Sequence, residues 1–243
     1  MLTSVRSLMA ATILAGTFIA AAPAVAQEGP SIELAGNTTL VSEYRFRGVD
    51  LSGGDIAIQG GITASTSGFY AGAWGSSLDE DSTGYGHTEL DLYAGYSGEL
   101  ASGVTFDISG IYYLYPNAPA GDFDYYEFIA KSGIAVGPGT VTLGVAYSPK
   151  QDSLGGGDNL YLFSDVAVGI PETPVTLTGH LGYTDGYLTY TADGDAMDWA
   201  VGATVALNDT LSVGAQYVGV DGQGTAAYDF ADDAVLFTVS AAF

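Results

Sequence analysis

The chain has 243 residues, with 28 acidic against 5 basic side chains, a formal charge of −23, 35 glycines, 17 tyrosines and no cysteine. That charge excludes a nucleic-acid partner, since phosphate recognition needs a basic surface. The missing cysteines exclude a disulfide scaffold, a thiolate metal site and a thiol nucleophile. Because 47% of residues are hydrophobic and only 14% charged, acidic disorder is excluded as well.

Residues 1–26 read as a secretory signal peptide: Arg6 in a basic start, an apolar stretch from Leu8 to Ala22, and Ala24-Val25-Ala26 as the cleavage site. Cleavage predicts a mature chain of 27–243 with four basic side chains, Arg45, Arg47, Lys131 and Lys150. Beyond residue 26 no apolar run is long enough for a spanning helix, so any membrane-embedded form must be a closed barrel, which satisfies its own backbone groups in lipid.

Period-2 alternation, the signature of strands, runs along the rest of the chain. Leu40, Ser42, Tyr44 and Phe46 alternate with Val41, Glu43, Arg45 and Arg47, predicting one strand across 40–47. Ile56, Ile58 and Ile62 oppose Asp55, Gln59 and Thr63. Phe69 to Ser76 is a strand whose faces the pattern leaves open. Leu90 and Leu92 oppose Glu89 and Asp91; Phe106 and Ile108 oppose Asp107; Tyr126 and Phe128 oppose Glu127 and Lys131. Further strands begin near Val141, Leu160, Val175, Asp198, Leu211 and Val235, with Asp165, His180 and Asp198 on their polar faces. The total is about twelve strands, each near the 9–11 residues that cross a bilayer at a tilt.

The connections alternate too. Ser65 to Gly68, Gly98 to Gly103, Ala135 to Gly139, Pro171 to Pro174 and Leu207 to Thr210 are short. Those at Ser77 to His87, Pro116 to Asp122, Pro149 to Asp158, Asp185 to Asp195 and Asp221 to Asp232 are longer, Gly-rich and acidic. The link from Gly48 to Gly54 is short but belongs by parity to the second set. Short turns at one end and long loops at the other are the outer-membrane pattern. The fold class expected is therefore all-β: a single transmembrane antiparallel up-and-down barrel in one domain. A soluble two-sheet sandwich would also alternate, but its wet faces should carry Lys and Arg, and these carry Asp, Glu, Thr, Ser, Gly and Tyr.

Parity turns the polar positions into the lumen. Glu43, Arg45, Arg47, Glu89, Asp91, Asp107, Glu127, Lys131, Asp165 and Asp198 are the candidate pore-lining and constriction residues, together with Asp55. A charge facing lipid at mid-bilayer would cost about 2–4 kcal/mol. The few bases should each lie against an acid. Tyr44, Tyr96, Tyr112, Tyr147, Tyr183, Trp199 and Tyr217 fit aromatic girdles at the two interfaces. His87 falls in a loop, and no nucleophile motif stands behind His180, so no enzyme is expected. No cofactor is expected either. The loop acids Asp79, Glu80 and Asp81, and Asp193 with Asp195, lack the spacing of a calcium loop and read as solvated, so no metal site is expected; the alternative is Ca²⁺ or Mg²⁺ bridging them to lipopolysaccharide phosphates.

The run Ser42-Glu43-Tyr44-Arg45-Phe46-Arg47-Gly48 resembles the TorF family of porin-type outer-membrane proteins. So do Gln59-Gly60-Gly61, Gly68-Phe69-Tyr70 with Trp74, Glu89 to Tyr96, Tyr112 to Pro116 and Tyr125-Tyr126-Glu127. These matches cover about the N-terminal half of the mature chain. The resemblance implies a Gram-negative outer-membrane barrel of porin function, and Phe243 resembles the C-terminal signal read by barrel-assembly machinery. The function expected is passive diffusion of small hydrophilic solutes or ions, with cations preferred because carboxylates are in surplus. Outer-membrane lipid and lipopolysaccharide are the expected surroundings. The alternative is a plugged barrel acting as a structural or surface-interaction protein, since twelve strands leave a narrow bore at best.

Overall fold

The computed structural model describes residues 31–121, 123–189, 194–221 and 231–243. The predicted signal peptide, its cleavage site and Asp193 lie outside the described residues. In chain order the strands are β1 (Glu33–Val41), β2 (Arg45–Phe46), β3 (Val49–Asp50), β4 (Ala57–Thr66), β5 (Phe69–Ser77), β6 (Thr88–Ala101) and β7 (Val104–Leu114). They continue with β8 (Tyr125–Val136), β9 (Gly139–Ser148), β10 (Asn159–Gly169), β11 (Val175–Gly186), β12 (Asp195–Ala206), β13 (Leu211–Asp221) and β14 (Ala234–Ala242). Twelve of them pair antiparallel, each with its neighbour in sequence, and β14 returns to β1, so the sheet closes into a barrel. Closure leaves no unpaired edge. Among the described residues no helix is long and apolar enough to cross a membrane.

The alternation read from the sequence becomes an inside and an outside. Ile58, Ile62, Leu92, Ile108, Phe128, Leu143, Leu177, Val201 and Phe237 project from the outer wall and are 47–60% exposed. Exposed apolar residues of this kind on the outer wall of a closed barrel form an interaction surface, the pattern of a lipid-facing band. Glu89, Asp91, Glu127, Asp107 and Asp198 project inward and are buried. The register decides β5, which the pattern left open: Tyr70, Trp74 and Ser76 are buried inside, while Phe69 is 62% exposed outside.

β1 begins and β14 ends at the same end of the barrel, here the near end. Phe243 extends β14 against β1, its N–H donating to the Gly36 carbonyl at 2.9 Å and its own carbonyl accepting from the Gly36 N–H at 2.7 Å. Tyr112, Tyr147, Tyr183 and Tyr217 point outward close to the far ends of β7, β9, β11 and β13. Tyr147 donates to Asp158 at 2.8 Å and Tyr183 to Asp195 at 3.1 Å, and Tyr217 pairs with Asp233. Each phenol thus keeps its ring on the wall and its hydroxyl on an acidic loop.

The first connection departs from expectation. A single strand over 40–47 does not form. β1 stops at Val41, and residues 42–52 fold into the bore as a segment containing the β2–β3 hairpin, followed by an exposed turn over 53–56. Tyr44 is therefore no girdle residue: it is 3% exposed and inside. Asp55 is no lumen residue: with Ile56 it sits exposed in the turn leading to β4. Extended backbone inside the barrel has the same period as extended backbone in its wall, so alternation alone could not separate them.

Candidate functional site in the barrel lumen

Local chemistry explains why the hairpin forms. Its two central residues, Arg47 and Gly48, have φ of 50° and 80°. Two positive values make a type I′ turn, which matches the twist of paired strands and favours Gly at the second position. At Gly48 a side chain would also strike Val220 and the Gly219 carbonyl on the opposite wall. Arginine at a positive φ is strained by about 1–3 kcal/mol, a cost tolerated where the surroundings dictate the conformation. The base of the segment is tied by Asp50, whose carboxylate accepts from Ser52 N–H at 2.8 Å and Gly54 N–H at 2.6 Å. Tyr44 N–H donates to Ser52 Oγ at 2.8 Å, Leu51 N–H to the Tyr44 carbonyl at 2.8 Å, and Asp79 N–H to the Leu51 carbonyl at 3.0 Å. That last bond fastens the hairpin to the next far-end loop.

The predicted lumen residues fall into five groups. Arg47 reaches across the bore to Glu127 on β8, with Nη2 2.8 Å from both carboxylate oxygens. Ser148 donates to the same carboxylate at 3.2 Å and Tyr113 at 3.4 Å. The Arg47 guanidinium lies over the rings of Tyr161 at 4.1 Å and Phe46 at 4.8 Å, a cation–π clamp on both sides of the hairpin tip. Arg45 pairs with Glu43 on its own segment and donates from Nη1 to the Gly48 carbonyl at 3.0 Å, so this couple braces the turn.

Lys131 faces Asp107 at 3.7 Å, and Tyr70 donates to Asp107 at 2.8 Å. On the other side Asp165 and Asp198 flank His180, with Nδ1 to Asp165 at 2.7 Å and Nε2 to Asp198 at 2.9 Å. Tyr161 donates to Asp198 at 3.1 Å. Every predicted base in the bore meets an acid, the arrangement that makes a buried charge tolerable. Glu89 and Asp91 have no such base. Both point inward from β6 and are at most 2% exposed; Glu89 accepts from Tyr44 at 3.1 Å. Glu89 Oε2 and Asp91 Oδ1 are without a hydrogen-bond partner. Among the described residues no group of three or more His, Asp or Glu is placed to hold a metal ion.

The sequence reading missed the aromatic half of this site. Tyr44, Phe46, Trp74, Tyr113, Tyr125 and Tyr161 are buried within the bore, and Tyr113 stacks on Tyr125 at 4.4 Å. Phe163, half-buried, lies across Gly144 on β9, where a side chain would collide with its ring. Inward glycines beside inward aromatics on the next strand are the signal that would have found them. Between the hairpin and the wall a cavity of about 240 Å³ remains, bounded by Arg45 and Arg47, mostly by β9–β14 residues such as Phe163, Thr178, Gln216 and Thr238, and also by Trp74 and Ile129.

Residues 25–243 match the bacterial family of unknown function described as Gcw_chp. The chain belongs to that family. No curated protein is significantly similar in sequence. Among solved structures the chain is similar to the NanC porin, with a TM-score of 0.56 at 12% identity over 86% of this chain and 98% of that one. It is equally similar to the KdgM porin, solved in complex with disordered oligogalacturonate, with a TM-score of 0.56 at 8% identity over 86% and 97%. An outer-membrane channel from Pseudomonas putida F1 aligns with a TM-score of 0.50 at 12% identity over 90% and 96%. At these identities the shared property is the closed barrel itself.

Proposed function

We propose that this protein is an outer-membrane channel for passive diffusion of small hydrophilic solutes, narrowed by its own first far-end connection. The observation that carries this reading is the hairpin: it takes Arg45 and Arg47 off the wall and sets them in the bore, Arg47 against Glu127 and Arg45 against Glu43. A barrel that needed only a solid core would fill with apolar side chains, because burying ion pairs in place of hydrocarbon gains little stability. Charges held at the narrowest level of a pore, by contrast, sort what passes. The porin-type neighbours and the TorF-like N-terminal half support the same reading, and nothing in it requires catalysis.

In this proposal the chain is exported by a cleaved signal peptide at 1–26, and 27–243 form the barrel. Phe243, 81% exposed at the near end, serves the barrel-assembly machinery, and lipid and lipopolysaccharide surround the belt. Pore-lining roles fall to Glu43, Arg45, Arg47, Glu89, Asp91, Asp107, Glu127, Lys131, Asp165 and Asp198. Cations are preferred, because Asp79, Glu80, Asp81, Asp152 and Asp158 crowd the far mouth, and a surplus of negative charge raises the local cation concentration.

The second reading, a barrel held shut as a structural or surface-interaction protein, is favoured by one observation: Tyr44, Val49 and Leu51 of the hairpin are only 3–4% exposed. Planar-bilayer recording separates the two. Stable unitary steps, with a reversal potential of cation sign in a potassium chloride gradient, are expected. A silent bilayer, from protein whose gel mobility proves it folded, leaves only the shut barrel. Steps of anion sign overturn the cation preference alone.

A further inference from the structure

The charges around the chamber beside the hairpin do not all cancel. Arg45 meets Glu43, Arg47 meets Glu127 and Lys131 meets Asp107, one base to one acid in each case. The group on β10–β12 is different. His180 stands between Asp165 and Asp198, with Nδ1 2.7 Å from the first and Nε2 2.9 Å from the second. One imidazole carries at most one positive charge, so two carboxylates leave at least one negative charge unmatched.

Position decides which unmatched carboxylate a passing solute meets. Asp50, Glu89 and Asp91 also form no ion pair among the described residues, but they are 1–5% exposed and none of them borders the cavity. Asp198 does border it, yet its side chain is 5% exposed, and Oδ1 is taken by His180 and by the Tyr161 hydroxyl at 3.1 Å. Asp165 keeps 20% of its side chain exposed, more than any other member of these ion pairs, and meets His180 through Oδ1. The register sets it opposite Thr142 on β9 and His180 on β11, and all three border the cavity. A single charge counts for more here than at the mouth. The cavity measures about 240 Å³, so the field of Asp165 crosses little water, and salt screens a partly buried charge less than an exposed one.

We propose that Asp165 sets the ion selectivity of the pore: its unmatched charge admits small monovalent cations to the chamber and holds anions back. The inference rests on the channel reading, and it adds to the acidic mouth a selecting charge inside the bore.

The test is the potassium-to-chloride permeability ratio of the full barrel, taken from the reversal potential in a potassium chloride gradient across a planar bilayer. Asp165→Asn should lower the ratio about threefold. The loss should persist near 1 M salt, where a charge at the open mouth is screened within about 3 Å. Thr142→Lys leaves Asp165 in place and sets a base opposite it, so it should lower the ratio at least as far. Gel mobility shows that each variant is folded. An unchanged ratio in either conducting variant, or a fall that vanishes at high salt, overturns the inference and leaves the channel reading standing. Wild-type steps of anion sign do the same. A silent wild-type barrel removes the channel reading itself, and this inference with it.

Discussion

The two sides of the bore are built from different side chains. On the β5–β8 side the buried inward residues include Trp74, Glu89, Asp91, Tyr113, Tyr125 and Glu127, and Trp74, Tyr113 and Tyr125 belong to one cluster with Tyr44 and Phe46 of the hairpin. On the β9–β14 side Tyr161, Phe163 and His180 share the lumen with small residues, Thr142, Thr178, Ala200, Thr204, Gly214 and Thr238, and most of the cavity lining lies there. The strands and their pairing are alike on both sides. The bore is therefore eccentric because of side-chain volume, and the hairpin leans where large aromatics can hold it. Close packing on one side fixes the plug, and small residues on the other leave room for solute.

That contrast can be broken most directly at the hairpin. Replacing residues 45–50 by a short Gly-Ser link should raise unitary conductance several-fold, because the plug and its charges leave the bore together; planar-bilayer recording measures it. Next, Arg47→Ala strands the Glu127 carboxylate on the full side. Breaking a buried pair costs about 3–5 kcal/mol, read as a lower denaturation midpoint in detergent, whereas the double variant Arg47→Met with Glu127→Gln should recover most of the loss.

The open side is sharpened by filling it. Ala200→Leu places an extra isopropyl group at the chamber wall and should lower conductance about twofold with little change in midpoint, since the space is already empty. The same enlargement at Ala57, 0% exposed within the packed cluster and away from the cavity, should destabilise the barrel by about 1–3 kcal/mol. The smallest effect belongs to the far mouth. Neutralising Asp79, Glu80 and Asp81 together should move the reversal potential by a few millivolts at low salt. The shift should vanish near 1 M salt, where screening shortens to about 3 Å.

How much of this could be read beforehand differs residue by residue. Leu92 outside and Asp91 inside, or Phe128 outside and Glu127 inside, follow from parity alone, and so does the lumen position of His180. The partners do not. Nothing local links Arg47 to Glu127, eighty positions apart, or Asp165 to Asp198 through His180. Those meetings require the register of several strands at once. The Arg47-Gly48 turn signal was present, but the alternation running through it favoured one long strand.

The amino-acid pattern alone determined that the chain alternates, that its charged positions share one face, and that an even number of strands brings the ends together. These are consequences of a two-residue repeat and of the cost of charge in hydrocarbon, both local in the chain. Tertiary structure alone decided that residues 42–56 leave the wall, which acid meets each base, and where the bore stays open. Those outcomes depend on the curvature of a closed sheet and on the volumes of side chains that meet only across it.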